Sequence, residues 1–89
     1  MCRNIRTLFN FEPPATDEEI YASALQYVRK VSGSNTPSKA NEALFYESVD
    51  KISNQIRYLL DHMTTLSTPK NREEEREKAR ERNLKRFGS

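Results

Sequence analysis

Apolar residues recur at helical spacing in the stretch that follows Pro13 and Pro14. Steps of three and four residues place them on one side of an amphipathic helix. These positions are Ile20, Ala24, Tyr27, Val28 and Val31. Thr16 and Glu19 stand at its start as a capping box, in which each side chain bonds the backbone N–H of the other. Gly33 suits the left-handed end of a helix, so the pattern predicts a helix over Asp17–Ser32.

A second, longer stretch repeats the same spacing. Its apolar positions are Phe45, Val49, Ile52, Ile56, Leu59, Leu60 and Met63. Ser38 and Asn41 are both suitable N-caps, and the pattern predicts a helix from Asn41 to Leu66. Two amphipathic helices with a short, turn-rich connection predict an all-α protein built on a helical hairpin.

The segment before the first helix carries four large apolar residues. Ile5, Leu8 and Phe9 have helical spacing, whereas Ile5, Phe9 and Phe11 also fit an alternating strand. The spacing therefore leaves helix and strand open. In either case we expect this segment to pack across the hairpin, because its apolar side chains need a surface to cover.

The last part of the chain is almost entirely charged from Arg72 to Arg86. Residues 67–71 are predicted to be either a linker or the start of a charged C-terminal helix, with Thr68 as cap and Pro69 as first helical residue. Glu74 and Lys78 are a favourable ion pair on that helix. Residues 1–66 carry a net charge of −1 and residues 67–89 a net charge of +3. We therefore expect a helical domain over 1–66 and a solvated, fraying helix or tail over 67–89.

Composition excludes several classes of function. The single cysteine excludes an internal disulfide and a multi-cysteine zinc site, and it fits a reducing cytoplasm, where we expect the protein. No apolar run approaches the roughly 20 residues of a membrane helix, and no apolar region of a signal peptide is present. A Gly-rich phosphate loop and a Ser/His/acid arrangement are absent as well. The sequence predicts a protein that is not an enzyme and has no cofactor, metal, membrane partner or evident small-molecule substrate.

The candidate binding residues are basic. Arg29 and Lys30 end the first helix and Lys39 follows the turn, while the remaining candidates lie along the charged tail. The tail candidates are Arg76, Lys78, Arg80, Arg82, Lys85 and Arg86. Spread over several faces of a helix, they can follow a phosphate backbone without reading bases. The simpler interpretation is a solvated helix laced with opposite charges, with Arg29 and Lys30 complementing the helix dipole.

Two further functions remain open. The long, wide apolar stripe of the second helix favours a protein partner or a homodimer. Cys2 directly follows Met1, and removal of Met1 would place an α-amine beside its thiol, which favours a thiol sensor or a metal-binding protein. The simpler interpretation of Cys2 is a small buried apolar residue.

Several motifs resemble one family. They are MCRNIRTL over 1–8, Pro14 to Ile20, ALQYVRKVSG over 24–33, Pro37-Ser38 and Asn41-Glu42. Together they resemble a family of small uncharacterised bacterial proteins that begin Met-Cys-Arg-Asn-Ile, over roughly residues 1–66. The resemblance implies a bacterial protein and brings no reaction, substrate or cofactor.

The predicted hairpin is also similar to the helix-two-turns-helix element. That element occurs in formamidopyrimidine-type DNA glycosylases and in a small-subunit ribosomal protein that binds RNA. The shared features are a helix that ends at Gly33, a short connection and a longer second helix. The glycosylase catalytic N-terminus, zinc finger and Asn-rich turn are absent, so the likeness implies backbone binding without cleavage.

Overall fold

Three α-helices account for most of the structure, a computed structural model that describes residues 4–87 and the side chains of residues 4–82. They are α1 (Asp17–Ser32), α2 (Glu42–His62) and α3 (Arg72–Phe87). Two short strands, β1 (Phe11–Glu12) and β2 (Lys70–Asn71), complete the fold. The predicted small helical class is confirmed. Within the described residues, no helix combines the length and the apolar character that a membrane span requires.

The boundaries of α1 follow from its local sequence. The Glu19 N–H donates to Thr16 Oγ1 over 3.1 Å, and the Thr16 N–H donates to Glu19 Oε1 over 2.9 Å, which completes the predicted capping box. At the other end Gly33 has φ 69°, and its N–H donates to the Arg29 carbonyl. Both predicted ends of this helix are confirmed.

Replacing Gly33 by alanine is expected to lower the free energy of unfolding by about 1 kcal/mol. An added Cβ would meet no heavy atom within 4 Å, so the cost comes only from the left-handed backbone at φ 69°. Urea denaturation of Gly33→Ala beside Gly33→Asn measures it, because asparagine tolerates this conformation better. Equal stability of all three proteins would contradict the backbone explanation.

The end of α2 differs from the prediction. The helix ends at His62, and Met63 is extended with ψ 144°, so the predicted continuation to Leu66 is wrong. The Ser67 N–H donates to Thr65 Oγ1 over 3.1 Å, a local bond that competes with helical hydrogen bonding. Leu66 is fully exposed as a result.

The N-terminus of α2 also differs in detail. Asn41 is the N-cap, but its side chain makes no capping bond and instead donates to Ser38 Oγ over 3.3 Å. Of the two predicted caps, Asn41 therefore occupies the N-cap position, but its side chain accepts no hydrogen bond from the amides of the first turn. The two candidates are joined to each other in the connection before α2.

The core lies where α1 packs against α2. Its buried members are Ala24, Val28, Phe45 and Val49, with Leu25, Ile52 and Ile56 partly buried around them. Ala24 and Val49 have no exposed surface, so the two helices approach closely at this level. The predicted apolar stripes form this core as far as the two helices overlap.

The segment before α1 joins the start of α3. β1 and β2 pair in parallel, and the Lys70 N–H donates to the Asn10 carbonyl over 2.8 Å. Between residue 4 and α1, neither a long helix nor a long strand forms, and only two residues find a strand partner. Near Asn10, which has φ 64°, the segment meets the residues that precede α3.

α3 begins later than predicted. Asn71 Oδ1 accepts the Glu74 N–H over 3.0 Å, so Asn71 acts as the cap. Residues 67–71 therefore precede the helix, and the alternative start at Thr68 and Pro69 is wrong. Pairing with β1 holds the chain extended up to this point. Lys78 lies 3.8 Å from the Glu75 carboxylate in place of the predicted Glu74 pair.

Candidate nucleic-acid interface

One end of the hairpin is closed by an ion cluster, which we call the Glu19 cluster and which consists of Arg6, Glu19 and Arg72. Arg72 donates to both oxygens of Glu19 over 2.8 and 2.9 Å, and Arg6 donates to Glu19 Oε2 over 3.0 Å. Arg72 Nε also donates to the Pro13 carbonyl over 2.9 Å. The cluster therefore ties α3 and the N-terminal segment to the first turn of α1.

The Glu19 carboxylate is strongly stabilised in its charged form. Hydrogen bonds from Arg72 and from the Thr16 backbone lower its pKa from 4.5 to about 2, with a smaller contribution from Arg6, while burial opposes them. The Arg72 guanidinium also lies 5.9 Å from the centroid of the Phe11 ring. Sequence reasoning identified Glu19 only as a capping residue and missed its link to Arg72.

Arg57 pairs with two further acids near this end. Its Nη2 donates to Asp17 over 2.6 Å and to the Ala15 carbonyl over 3.2 Å, and its Nη1 donates to Asp61 over 3.4 Å. The bond to Asp17 is the largest contribution to the raised pKa of Arg57. Much of the charge at this end of the hairpin is therefore paired internally.

The opposite end of the hairpin has a different charge balance. Between Glu19 and Glu42 the sequence contains no acidic residue, and its cations are Arg29, Lys30 and Lys39. All three are exposed. We call these residues, together with the connecting loop 33–41, the basic end.

The loop of the basic end is ordered by its own hydrogen bonds. Arg29 Nε donates to the Asn35 carbonyl over 3.0 Å, and the Ser34 N–H donates to the Arg29 carbonyl over 3.1 Å. Ser34 Oγ donates to the Thr36 carbonyl over 3.2 Å. Arg29 therefore positions the loop, a role that its interpretation as a helix-dipole cation did not include.

The tail candidates lie on α3 and are largely compensated. Arg76 pairs with Glu73 at 3.1 Å, Lys78 with Glu75, and Arg80 with Glu77. Arg82 is exposed. Residues 72–82 contain five basic and five acidic residues. The side chains of Lys85 and Arg86 lie outside the described residues.

The structure gives less information on the other candidate sites. Cys2 lies outside the described residues. Over the described part of the chain, no group of three or more His, Cys, Asp and Glu side chains is arranged to hold a metal ion. Several large apolar residues remain exposed on the helices, among them Val31 and Leu44, each 66% exposed.

The fold is that of a small helical-hairpin protein whose N-terminal segment and third helix are joined at one end. Residues 1–78 match a family described as an uncharacterized conserved protein (DUF2277), and the chain belongs to this family. The match extends beyond residue 66, where the family resemblance was predicted to end, and it includes Arg72. No curated protein and no solved structure matches the chain, so the helix-two-turns-helix likeness stays a prediction.

Proposed function

We propose that this protein is a small non-enzymatic binding module that contacts the phosphate backbone of nucleic acid through its basic end. The single observation that carries the proposal is the charge distribution on the hairpin. Arg29, Lys30 and Lys39 flank the connecting loop, where the nearest acid in the sequence is Glu42 at the start of α2. At the other end, Glu19 and Asp17 are paired with Arg72 and Arg57.

The order of the loop supports this proposal. A loop that is already fixed by Arg29 loses little conformational freedom when it binds, and preorganisation of this kind increases affinity. Its hydroxyl and amide groups, from Ser34, Asn35 and Ser38, are of the kinds that commonly bond phosphate oxygens. The first-turn amides of α2 point toward the same loop and add a partial positive charge, which Glu42 in that turn offsets in part.

α3 takes a secondary part in this proposal. The pairs of Arg76, Lys78 and Arg80 with glutamates reduce the charge that each can offer to a phosphate. A solvated ion pair contributes only about 0–1 kcal/mol, so a phosphate can still displace a glutamate partner. We therefore assign the main affinity to the basic end and a weaker, non-specific contribution to α3.

Replacing Lys30 and Lys39 together by glutamine is expected to weaken binding of a short nucleic acid and to flatten its salt dependence. The slope of log K against log salt should fall by about 0.7–0.9 for each phosphate that the protein no longer neutralises. Fluorescence anisotropy of a labelled 12-nucleotide strand and of its duplex, in a salt series, measures both quantities.

A matched control is available for this pair. Lys51 and Lys70 are exposed lysines outside both the basic end and α3, and Lys51→Gln/Lys70→Gln removes the same charge elsewhere. The control should bind almost as well as the unmodified chain. Equal losses of affinity in both double variants would mean that only net charge matters and would contradict a localised site. The chain must keep Arg72, so this test uses the full chain.

A second candidate function is association with a protein partner or a second copy. The observation that favours it is the exposure of apolar side chains on both helices, including Val31, Leu44, Tyr58 and Leu59. Exposed apolar surface of this kind commonly marks an interaction site. Light scattering of the full chain at high concentration tests self-association, and a strict monomer removes the homodimer.

A further inference from the structure

We infer that a cleft beside the last turns of α1 receives one unstacked nucleotide, so that the protein prefers single-stranded nucleic acid to duplex. This inference rests on the proposed function and names the ligand class of the same end of the hairpin. The cleft has a volume of about 640 Å³. That volume falls within the range of about 300–1,000 Å³ that is typical of small-ligand sites.

The cleft has a cationic side that suits a phosphate. Arg29 and Lys30 both line it, and none of its lining side chains is a carboxylate. The bond from Arg29 Nε to the Asn35 carbonyl holds the guanidinium in place and leaves its two Nη groups for a ligand. A guanidinium binds phosphate oxygens in a bidentate manner, and Lys30 adds a second positive charge.

The rest of the cleft suits a nucleobase. Ala22 and Leu25 supply apolar surface for the face of a base, while Gln26, Asn35 and Asn4 supply carboxamides. Carboxamide side chains form hydrogen bonds with base edges. The combination of a cationic side, an apolar side and carboxamides matches the parts of one nucleotide.

The N-terminal segment forms one wall of this cleft. The Asn4 N–H donates to Gln26 Oε1 over 3.0 Å, which holds the segment against α1 and orients the Gln26 carboxamide. This bond leaves the Gln26 Nε2 group for a base edge. A base held between this segment and α1 has left its stack, as bases do readily in a single strand.

The test compares binding of the full chain to a labelled 12-nucleotide strand and to the duplex of the same sequence. Gln26→Leu removes the carboxamide and the Asn4 bond without changing charge, and Gln55→Leu makes the same change at an exposed position on α2. Asn35→Ala is a second variant that keeps the backbone carbonyl used by Arg29. Unfolding curves of all variants verify that each one is folded.

The unmodified chain should bind the strand about 10-fold more tightly than the duplex. Gln26→Leu and Asn35→Ala should lose about 5- to 10-fold on the strand alone, with an unchanged salt slope. Gln55→Leu should change nothing. Equal affinity for strand and duplex in the unmodified chain, or equal behaviour of the Gln26 and Gln55 variants, would overturn the inference while leaving salt-sensitive backbone binding intact. Loss of salt-sensitive binding altogether would instead overturn the proposed function.

Competition experiments distinguish a nucleotide within a strand from a free nucleotide. A free nucleoside monophosphate should displace the strand at lower concentration than inorganic phosphate does, because it fills both sides of the cleft. Equal potency of the two competitors would mean that only a phosphate is held, and would overturn the assignment of a base to the apolar side. If the free nucleotide bound more tightly than the strand, this would identify a free nucleotide as the ligand.

Discussion

Replacing Glu19 by glutamine is expected to lower the free energy of unfolding by about 1.5–3 kcal/mol at neutral pH. Glutamine keeps the capping box, but it removes the charge that holds Arg72 and Arg6. The Arg72 side chain is 26% exposed and would lose its charged partner, while the exposed Arg6 contributes little. Urea denaturation of the full chain measures this decrease in stability.

The neighbouring Glu18 provides the control for this change. Glu18 is exposed in the same turn of α1, and Glu18→Gln should alter stability by no more than about 0.5 kcal/mol. Equal destabilisation of the two variants would contradict the role assigned to the Glu19 cluster. Destabilisation confined to Glu19→Gln would support it.

The same cluster predicts an acid dependence of stability. The pKa of Glu19 is lowered from 4.5 to about 2, so its contribution is complete above pH 4.5 and is lost as the pH falls toward about 2. The stabilities of the unmodified chain and of Glu19→Gln should therefore converge over this interval. A constant difference down to pH 2 would contradict the ionic origin of the stabilisation.

Replacing Phe45 by alanine is expected to lower the free energy of unfolding by about 3–5 kcal/mol. Phe45 is only 7% exposed and belongs to a core with three other buried members. Its ring also packs against the Tyr46 ring with a centroid distance of 5.1 Å and an interplanar angle of 73°. A decrease of this size is a large fraction of the roughly 5–15 kcal/mol that stabilises a typical domain.

Leu44 is the matched control for Phe45. It is adjacent in sequence and on the same helix, but it is 66% exposed, so Leu44→Ala should leave the thermal midpoint nearly unchanged. Thermal unfolding followed by circular dichroism compares the two variants. Similar destabilisation of both would show that Leu44 is buried in an assembly, which would favour the homodimer.

The sequence predicts α1 well because both of its ends depend on neighbouring residues. Thr16 and Glu19 cap each other within one turn, and Gly33 closes the helix on the Arg29 carbonyl. The end of α2 was predicted four residues too late since apolar spacing continues to Leu66. Met63 is already extended in that interval and the Thr65 side chain bonds the Ser67 N–H beyond it, and such local geometry is invisible to apolar periodicity.

Contacts between distant parts of the chain were not predictable from spacing. Glu19 and Arg72 are far apart in sequence, and Asn10 Nδ2 donates to the Thr68 carbonyl over 3.3 Å across a similar separation. The cap of α3 did have a local signal, because Asn71 precedes Glu74 by three residues, as in other N-caps. Proline at position 69 directed the prediction to the wrong start.

The candidate site was predictable as a set of charges but not as a geometry. Arg29, Lys30 and Lys39 were identified from the sequence, since their positions flank the turn. The role of Arg29 in holding Asn35, and the bond between Asn4 and Gln26 that builds the cleft, depend on side-chain positions in the folded chain. The same folding pairs the α3 cations with glutamates and shifts the main proposed contact to the basic end.

The most direct test of the central claim is the affinity of the unmodified full chain for a labelled 12-nucleotide strand at about 50 mM and about 200 mM salt. Three phosphate contacts from the basic end predict that the affinity falls roughly 20-fold between these two conditions. Absence of binding at the lower salt concentration, or an affinity that does not change with salt, would contradict the account.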